Sequence, residues 1–390
     1  MKPILKSGIA LVSLAAFAGS LCSCNPKSIQ AETTEGSEVG YSLSLFSNLL
    51  SVQPSTDNVT VSPYSAGVAL SMLAEGAEGK SLEELDKALN GCRLQAEPLS
   101  SNDSVIVKSA NSLWTNKNYP VRKSYVEILD EKYDAVASSL DFSSSSSVGR
   151  INAWARENTA GKIDNVVEEL GPDMVAVLAN AVYFKGAWQT PFKSRDTRIR
   201  TFYGASGESQ VSFMTGTNVY EYAEYQGNQM IRIPYYGGQY AMTVLLPSKG
   251  ADLSRFEGLI CESFLDKALA ALEPVRVRLH LPKFKVEGEL SLVLVLEKMG
   301  VNELFTSKAS LGGIADGPLS VSEVNQKTFV NVDERGSEAA AVTTIGIRLT
   351  AMPPQDFDVK VMDVNRPFYY MISDVESGRI LFIGRISVLN

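Results

Sequence analysis

Glu334-Arg335-Gly336-Ser337-Glu338-Ala339-Ala340-Ala341-Val342-Thr343-Thr344-Ile345-Gly346-Ile347-Arg348-Leu349-Thr350-Ala351-Met352-Pro353-Pro354 has a composition that does not suit a loop. Helix propensity favours Glu338 to Ala341, but Thr343, Thr344, Ile345 and Ile347 then favour strand. Read with period two, one face carries Ser337, Ala339, Ala341, Thr343, Ile345, Ile347 and Leu349. The other carries Glu338, Ala340, Val342, Thr344, Gly346, Arg348 and Thr350. The first face can be buried, and its early positions are small enough to slide in without clashes. No proline falls between Pro318 and Pro353, so every residue between them keeps its ladder donor. At about 3.3 Å per residue, Glu334 to Thr350 would extend roughly 56 Å. The pattern leaves two readings: an ordinary edge strand with a small-residue start, or a strand fitted to enter a buried sheet.

Around this stretch the chain mixes helix and strand. Ser62-Pro63-Tyr64-Ser65 leads into Val68, Ala69, Leu70, Met72 and Leu73, a buried helix. Ser81-Leu82-Glu83-Glu84 reads as a capping box, with Leu85 and Leu89 following on one face. Ile151-Asn152-Ala153-Trp154 starts an amphipathic stretch that stops near Gly161, and the serines Ser143 to Ser147 before it read as a surface loop. Met174 to Phe184 is a nearly continuous apolar run with Asn180 in its middle, as in a strand buried on both faces. Val275, Val277, Leu279 and Leu281 alternate with Arg276, Arg278 and His280, which buries one face. Helices first and strands later, without regular βαβ spacing, predict an α+β fold.

The net charge of −8 argues against a nucleic-acid binder, which would carry a basic domain or stripe. Lys2 and Lys6 precede an apolar run from Gly8 to Ala18, too short for a bilayer, which takes about 20 residues, but suited to a secretory signal. Leu21-Cys22-Ser23-Cys24 resembles the bacterial lipobox, with Leu21 three places ahead of Cys24. Residues 1–23 therefore read as a lipoprotein signal peptide, 24–38 as a polar tether starting at a lipidated Cys24, and 39–390 as one domain. The lipid would anchor the chain without spanning the membrane. Cys92 and Cys261 are either free thiols or one long-range bridge. The single histidine, His280, sits on the polar face of its strand, where a structural or surface role fits best. A two-histidine zinc motif, a Walker loop and a GxGxxG turn are all missing, so no metal or cofactor is expected.

Several motifs carry a family resemblance when taken in chain order. They are Ser62-Pro63-Tyr64-Ser65, Glu75-Gly76-Ala77-Glu78-Gly79, Asn111-Ser112-Leu113-Trp114 and Ile151-Asn152-Ala153-Trp154 through Gly161-Lys162-Ile163. After them come Asn180 through Phe184-Lys185-Gly186-Ala187-Trp188, Ile233-Pro234-Tyr235, Leu281-Pro282-Lys283-Phe284, Arg366-Pro367-Phe368 and Leu381-Phe382-Ile383-Gly384-Arg385. Together with Gly336 to Thr343 they resemble the serpin family of serine protease inhibitors, from about Val39 to the C-terminus.

The resemblance implies about nine helices around three β-sheets, with an exposed reactive loop at about 334–354. It implies an inhibitor and not an enzyme: a suicide substrate for serine, and also cysteine, proteases, whose cut loop inserts into the main sheet while the protease is held as an acyl-enzyme. The hinge would be Gly336, Ser337, Glu338, Ala339, Ala340, Ala341, Val342 and Thr343. Counting from Glu334 as inhibitory members do places the bond at Thr350-Ala351, with Arg348, Leu349 and Met352 as alternatives. Elastase-, trypsin- and chymotrypsin-like partners follow from those side chains. Glu334 and Lys283 match a salt-bridge pair close to Trp188. Ser62, Ser65 and Asn180 match a polar cluster beneath the place where the sheet parts, with Gln326 where the family usually has histidine. The chain is expected to be monomeric and lipid-anchored to the bacterial cell envelope, at the outer membrane, or secreted. The competing readings are a non-inhibitory carrier or chaperone of the same fold, and a hydrolase dependent on His280.

Overall fold

The apolar run around Asn180 forms a strand covered on both faces, and the other elements are arranged about it. A computed structural model describes residues 36–97, 99, 101–337 and 359–390. Cys24, Glu338 to Thr343, Arg348, Leu349, Thr350, Ala351 and Met352 lie outside the described residues. The helices are α1 (Glu38–Val52), α2 (Pro63–Gly76), α3 (Gly79–Ala88), α4 (Lys123–Tyr133), α5 (Ser145–Asn158), α6 (Leu253–Glu257), α7 (Glu262–Ala270) and α8 (Val293–Lys298). The first strands are β1 (Val59–Val61), β2 (Val105–Asn116), β3 (Val136–Leu140), β4 (Ala176–Ala187), β5 (Arg198–Gly204), β6 (Gly207–Tyr225), β7 (Asn228–Pro234) and β8 (Tyr240–Leu246). They are followed by β9 (Glu273–Pro282), β10 (Phe284–Ser291), β11 (Glu323–Asp333), β12 (Gly336–Ser337), β13 (Lys360–Asp363), β14 (Phe368–Asp374) and β15 (Ile380–Ile386).

A six-stranded sheet runs β10-β11-β12-β4-β2-β3, and β11 also pairs directly with β4. Val177, Ala179 and Ala181 of β4 meet Ile151, Trp154 and Ala155 of α5 on one face. Leu178, Val182 and Phe184 face the main core. Burial on both faces explains the uninterrupted apolar run. The other sheet runs β1-β15-β14-β8-β7-β6-β9-β13, with β5 added on β6, and has nine strands. Three sheets were expected; among the described residues there are two, because β6, 19 residues long, pairs with β5 and β9 and then continues into β7.

Eight α-helices among the described residues compare with about nine expected. Among its described residues the connection from Gly91 to Ser104 contains none, and the Asn102 side chain takes the Ser104 and Val105 amides at 2.8 Å in a tight turn. The helix read after Ser62-Pro63-Tyr64-Ser65 is α2, and Ser62 caps it with Pro63 in the first turn. The capping box at Ser81 is corrected: α3 already starts at Gly79, and Ser81 donates to Glu303. Glu84 instead accepts the Asn302 and Glu303 amides, both at 2.7 Å, where a short 3-10 turn begins. The serine run is also corrected, since Ser144 caps α5 and Ser145 to Ser147 form its first turn. Cys92 and Cys261 are not joined to each other, so the long-range bridge is not formed.

Arg385, at the end of the apolar β15, is fully buried. It donates to Glu257 at 2.8 Å and to the carbonyls of Pro54 and Asp57. Replacing one member of a buried pair leaves the other charge unsolvated. Arg385→Met should therefore lower stability by about 3–5 kcal/mol, read as an earlier midpoint of urea unfolding.

Candidate functional site

Strands β4 and β11 run parallel and in contact from Val177–Tyr183 against Glu323–Phe329. Above that they part, and Gly336-Ser337 enters the gap antiparallel to both. Ser337 lies opposite Gly186 and Val332, and Gly336 opposite Ala187 and Asp333. Gly336 has φ +155°, and a Cβ there would sit 1.9 Å from the Gly186 carbonyl oxygen, so no other residue fits this seat. Ser337 is fully buried, and its hydroxyl meets that of Tyr235 at 2.6 Å. Its one polar side-chain atom is thereby satisfied in an apolar place.

The gap has a firm rim. Tyr235 stacks on Trp188 at 4.6 Å between centroids and meets Phe184 edge-on at 4.8 Å. The Trp188 indole donates to the Asp333 carbonyl at 2.9 Å, and the Trp188 and Phe192 amides donate to the Arg335 and Glu334 carbonyls, each at 2.8 Å. Lys283 pairs with Glu334 at 2.9 Å, and Thr197 donates to the same carboxylate at 2.8 Å. Burial works to raise the Glu334 pKa, but the Lys283 and Thr197 hydrogen bonds outweigh it and hold the carboxyl below the ordinary glutamate range.

Deeper in the sheet, Asn111, Asn180 and Gln326 stand in one row across β2, β4 and β11. Gln326 donates to Asn180 Oδ1 at 2.7 Å and to the Ser62 carbonyl at 3.0 Å, and its own oxygen accepts the Ser62 amide at 2.7 Å. Asn180 donates to Asn111 at 2.5 Å and to the Ser65 hydroxyl, which in turn meets Ser109. All three amide groups are buried, and the Gln326 amide has every donor and its acceptor engaged. This row ties three strands to the start of α2. An amide does not titrate, so this tie does not weaken with acid as an imidazole would.

The structure thus brings Ser62, Ser65, Asn180 and Gln326 into one cluster, and Trp188, Lys283, Glu334, Gly336 and Ser337 into another above it. Sequence reasoning missed Tyr235, Asn111, Ser109 and Thr197 as site residues. Tyr235 and Asn111 lay within quoted motifs, but their partners are about a hundred and about seventy positions away. His280 is on a different sheet, with Nδ1 2.9 Å from the Thr215 hydroxyl. Burial and the nearby Arg200 lower its pKa, against the opposing charge of Asp363.

Comparison with known proteins places this architecture. Residues 38–389 match the family model described as Serpin (serine protease inhibitor). A serpin-like protein of Thermococcus kodakarensis is 34% identical over 345 residues, covering 85% of this chain and 80% of the relative. Human antithrombin-III is 31% identical over 376 residues, covering 89% of this chain and 80% of the relative. The crystal structure of the thermophilic serpin tengpin in the native state superposes with a TM-score of 0.83 at 29% identity, covering 92% of this chain and 95% of that one.

The fit around Gly336 gives a direct test. Gly336→Ala should push the two-residue strand out of the gap, separating Ser337 from Tyr235 and altering the fluorescence of the adjacent Trp188. An unchanged spectrum would mean the seat tolerates a side chain.

Proposed function

This chain belongs to the serpin family, and we propose that it inhibits a serine protease by offering residues 334–354 as bait and drawing the severed strand into its six-stranded sheet. The family consists mostly of protease inhibitors, with some members that do not inhibit. The observation that carries the inhibitory reading is the register of Gly336 and Ser337. They hold the first two rungs of a slot between β4 and β11, antiparallel to both. Continued unchanged, that register sets Ala339 level with Phe184 and Val330, and Ala341 level with Val182 and Thr328. Thr343 then comes level with Asn180 on one side and Gln326 on the other. Two separate ladders assign Thr343 to one row, and it is the row those amides share now.

The side chains suit such an insertion. The inward places go to Ser337, Ala339, Ala341 and Thr343, none larger than threonine. Glu338 comes level with Lys185 on the outer face, where opposite charges favour each other. The slot ends at Ala176 and Glu323, level with Ile347 and Gly346. Arg348, Leu349 and Thr350 would emerge beyond its far edge, where an attached protease has room.

The chemistry is ordinary acyl transfer that stops halfway. The protease serine oxygen adds to the carbonyl carbon of the bait residue, here Thr350. The bond to the Ala351 nitrogen breaks, that nitrogen leaves as a protonated amine, and an ester remains. Water must then hydrolyse the ester, and insertion competes with it. A cysteine protease would give a thioester by the same steps. Insertion exchanges one parallel ladder between β4 and β11 for two antiparallel ones, a net gain in paired backbone. Residues 1–23 as a signal and Cys24 as a lipid anchor would display the inhibitor on the bacterial cell envelope, with the polar tether between.

Incubation with elastase-, trypsin- and chymotrypsin-like proteases should give a covalent complex that survives boiling in detergent. Thr343→Arg would have to bury an unpaired charge on the Asn180–Gln326 row at several kcal/mol, so the trapped fraction should fall about tenfold or more while loop cleavage continues. Undiminished trapping by that variant would contradict insertion. Separately, Cys24→Ala should abolish palmitate labelling and release the protein from the membrane fraction.

A further inference from the structure

One face of the nine-stranded sheet takes no part in loop insertion. Register places Thr217, Arg278 and Val361 in one row across β6, β9 and β13, and Val219 opposite Arg276 nearby. Directly opposed residues share a face. The alternating neighbours Val277, Leu279 and Met362 are buried in the core, so the first five point to solvent. Val219 is 61% and Val361 51% exposed, unusual values for β-branched residues in strands. Among the described residues, neither Arg276 nor Arg278 has an ion-pair partner. The acids on this face are engaged elsewhere: Asp363 pairs with Arg200 at 2.7 Å and Glu221 with Arg232 at 2.9 Å. Uncompensated positive charge thus stands here, on a chain whose net charge is −8.

Its position relative to the bait is set by chain length. β13 begins at Lys360, and the chain from Ala351 to Lys360 can span at most about 30 Å. A protease domain of some 220 residues is about 45 Å across. A protease seated on the bond would therefore have this face within reach of its surface.

We infer that Arg276 and Arg278, flanked by Val219 and Val361, form a docking surface for an acidic patch beside the catalytic cleft of the target protease. This rests on the inhibitory reading and adds target selection to it. Uncompensated arginines act at a distance, so they raise the rate of encounter and leave the later trapping step unchanged. The valines give the close contact an apolar centre. A polysaccharide would be better served by a continuous basic track than by arginines alternating with valines.

The test compares Arg276→Glu/Arg278→Glu with the parent, both carrying Thr350→Arg so that trypsin has a basic residue at the bond. Anionic and cationic trypsin share a cleft and differ in surface charge. The quantity read is the second-order rate of loop attack, counted whether it ends in a covalent complex or in a cleaved loop. With anionic trypsin the double variant should react about tenfold more slowly or worse, and lose the salt dependence of the parent. Its rate with cationic trypsin should be equal or higher, with the trapped fraction and Tm unchanged. Equal rates of parent and variant with anionic trypsin would overturn the inference. So would a variant that loses retention on heparin-agarose while keeping both protease rates, since the face would then belong to a polysaccharide. Cleavage without any covalent complex counts against the inhibitory reading alone, because the rate comparison still stands.

Discussion

Whether a strand can enter the main sheet is decided by the hydrogen-bonded row Asn111–Asn180–Gln326. Gln326 and Asn180 are direct partners at 2.7 Å across the seam between β4 and β11. No strand can pass that row without separating them, and each buried amide left unpaired costs about 1–3 kcal/mol. The same row, once parted, would receive Thr343, whose hydroxyl can donate to one side and accept from the other. The cost therefore falls in the transition and not at its end. On the proposed mechanism such a sheet would be held shut kinetically while a better-paired arrangement remained available.

The two clusters divide the work. The upper one, with Trp188, Tyr235 and the Lys283–Glu334 pair, holds the strands apart and seats Gly336 and Ser337 in the gap. The lower one holds them together. Between them lies a length of sheet in which β4 and β11 diverge, so opening has a defined starting point. The Gln326 amide gives the lower tie a strength independent of proton concentration, whereas Lys283 and Thr197 hold the Glu334 carboxyl below its ordinary range against the opposing effect of burial. A folded-state carboxyl held low stabilises the hinge above that range and loses the effect as pH falls through it.

Much of this was legible in the chain because the decisive signals are short and local. The Gly336-Ser337 pair, the doubly buried run around Asn180 and the proline-led start of α2 each report a backbone requirement that a few adjacent residues satisfy. What escaped was adjacency across strands. Nothing near Tyr235 in the chain announces Ser337, and Asn111 meets Asn180 only once β2 and β4 are in register. The misread capping box shows the opposite error. Ser81 and Glu84 have the local spacing of a cap, but the Glu84 carboxylate finds two free backbone amides at Asn302 and Glu303, and tertiary geometry wins. The third sheet was lost for a similar reason, since β6 is long enough to serve two neighbourhoods.

The central claim is that the intact protein is less stable than the form in which its cut strand has become part of the sheet. The most direct measurement is the melting temperature of the protein before and after a single cleavage within residues 348–352, without separating the fragments. The account requires the nicked protein to melt higher. Equal or lower melting would mean that no strand is gained and that the slot between β4 and β11 serves another purpose.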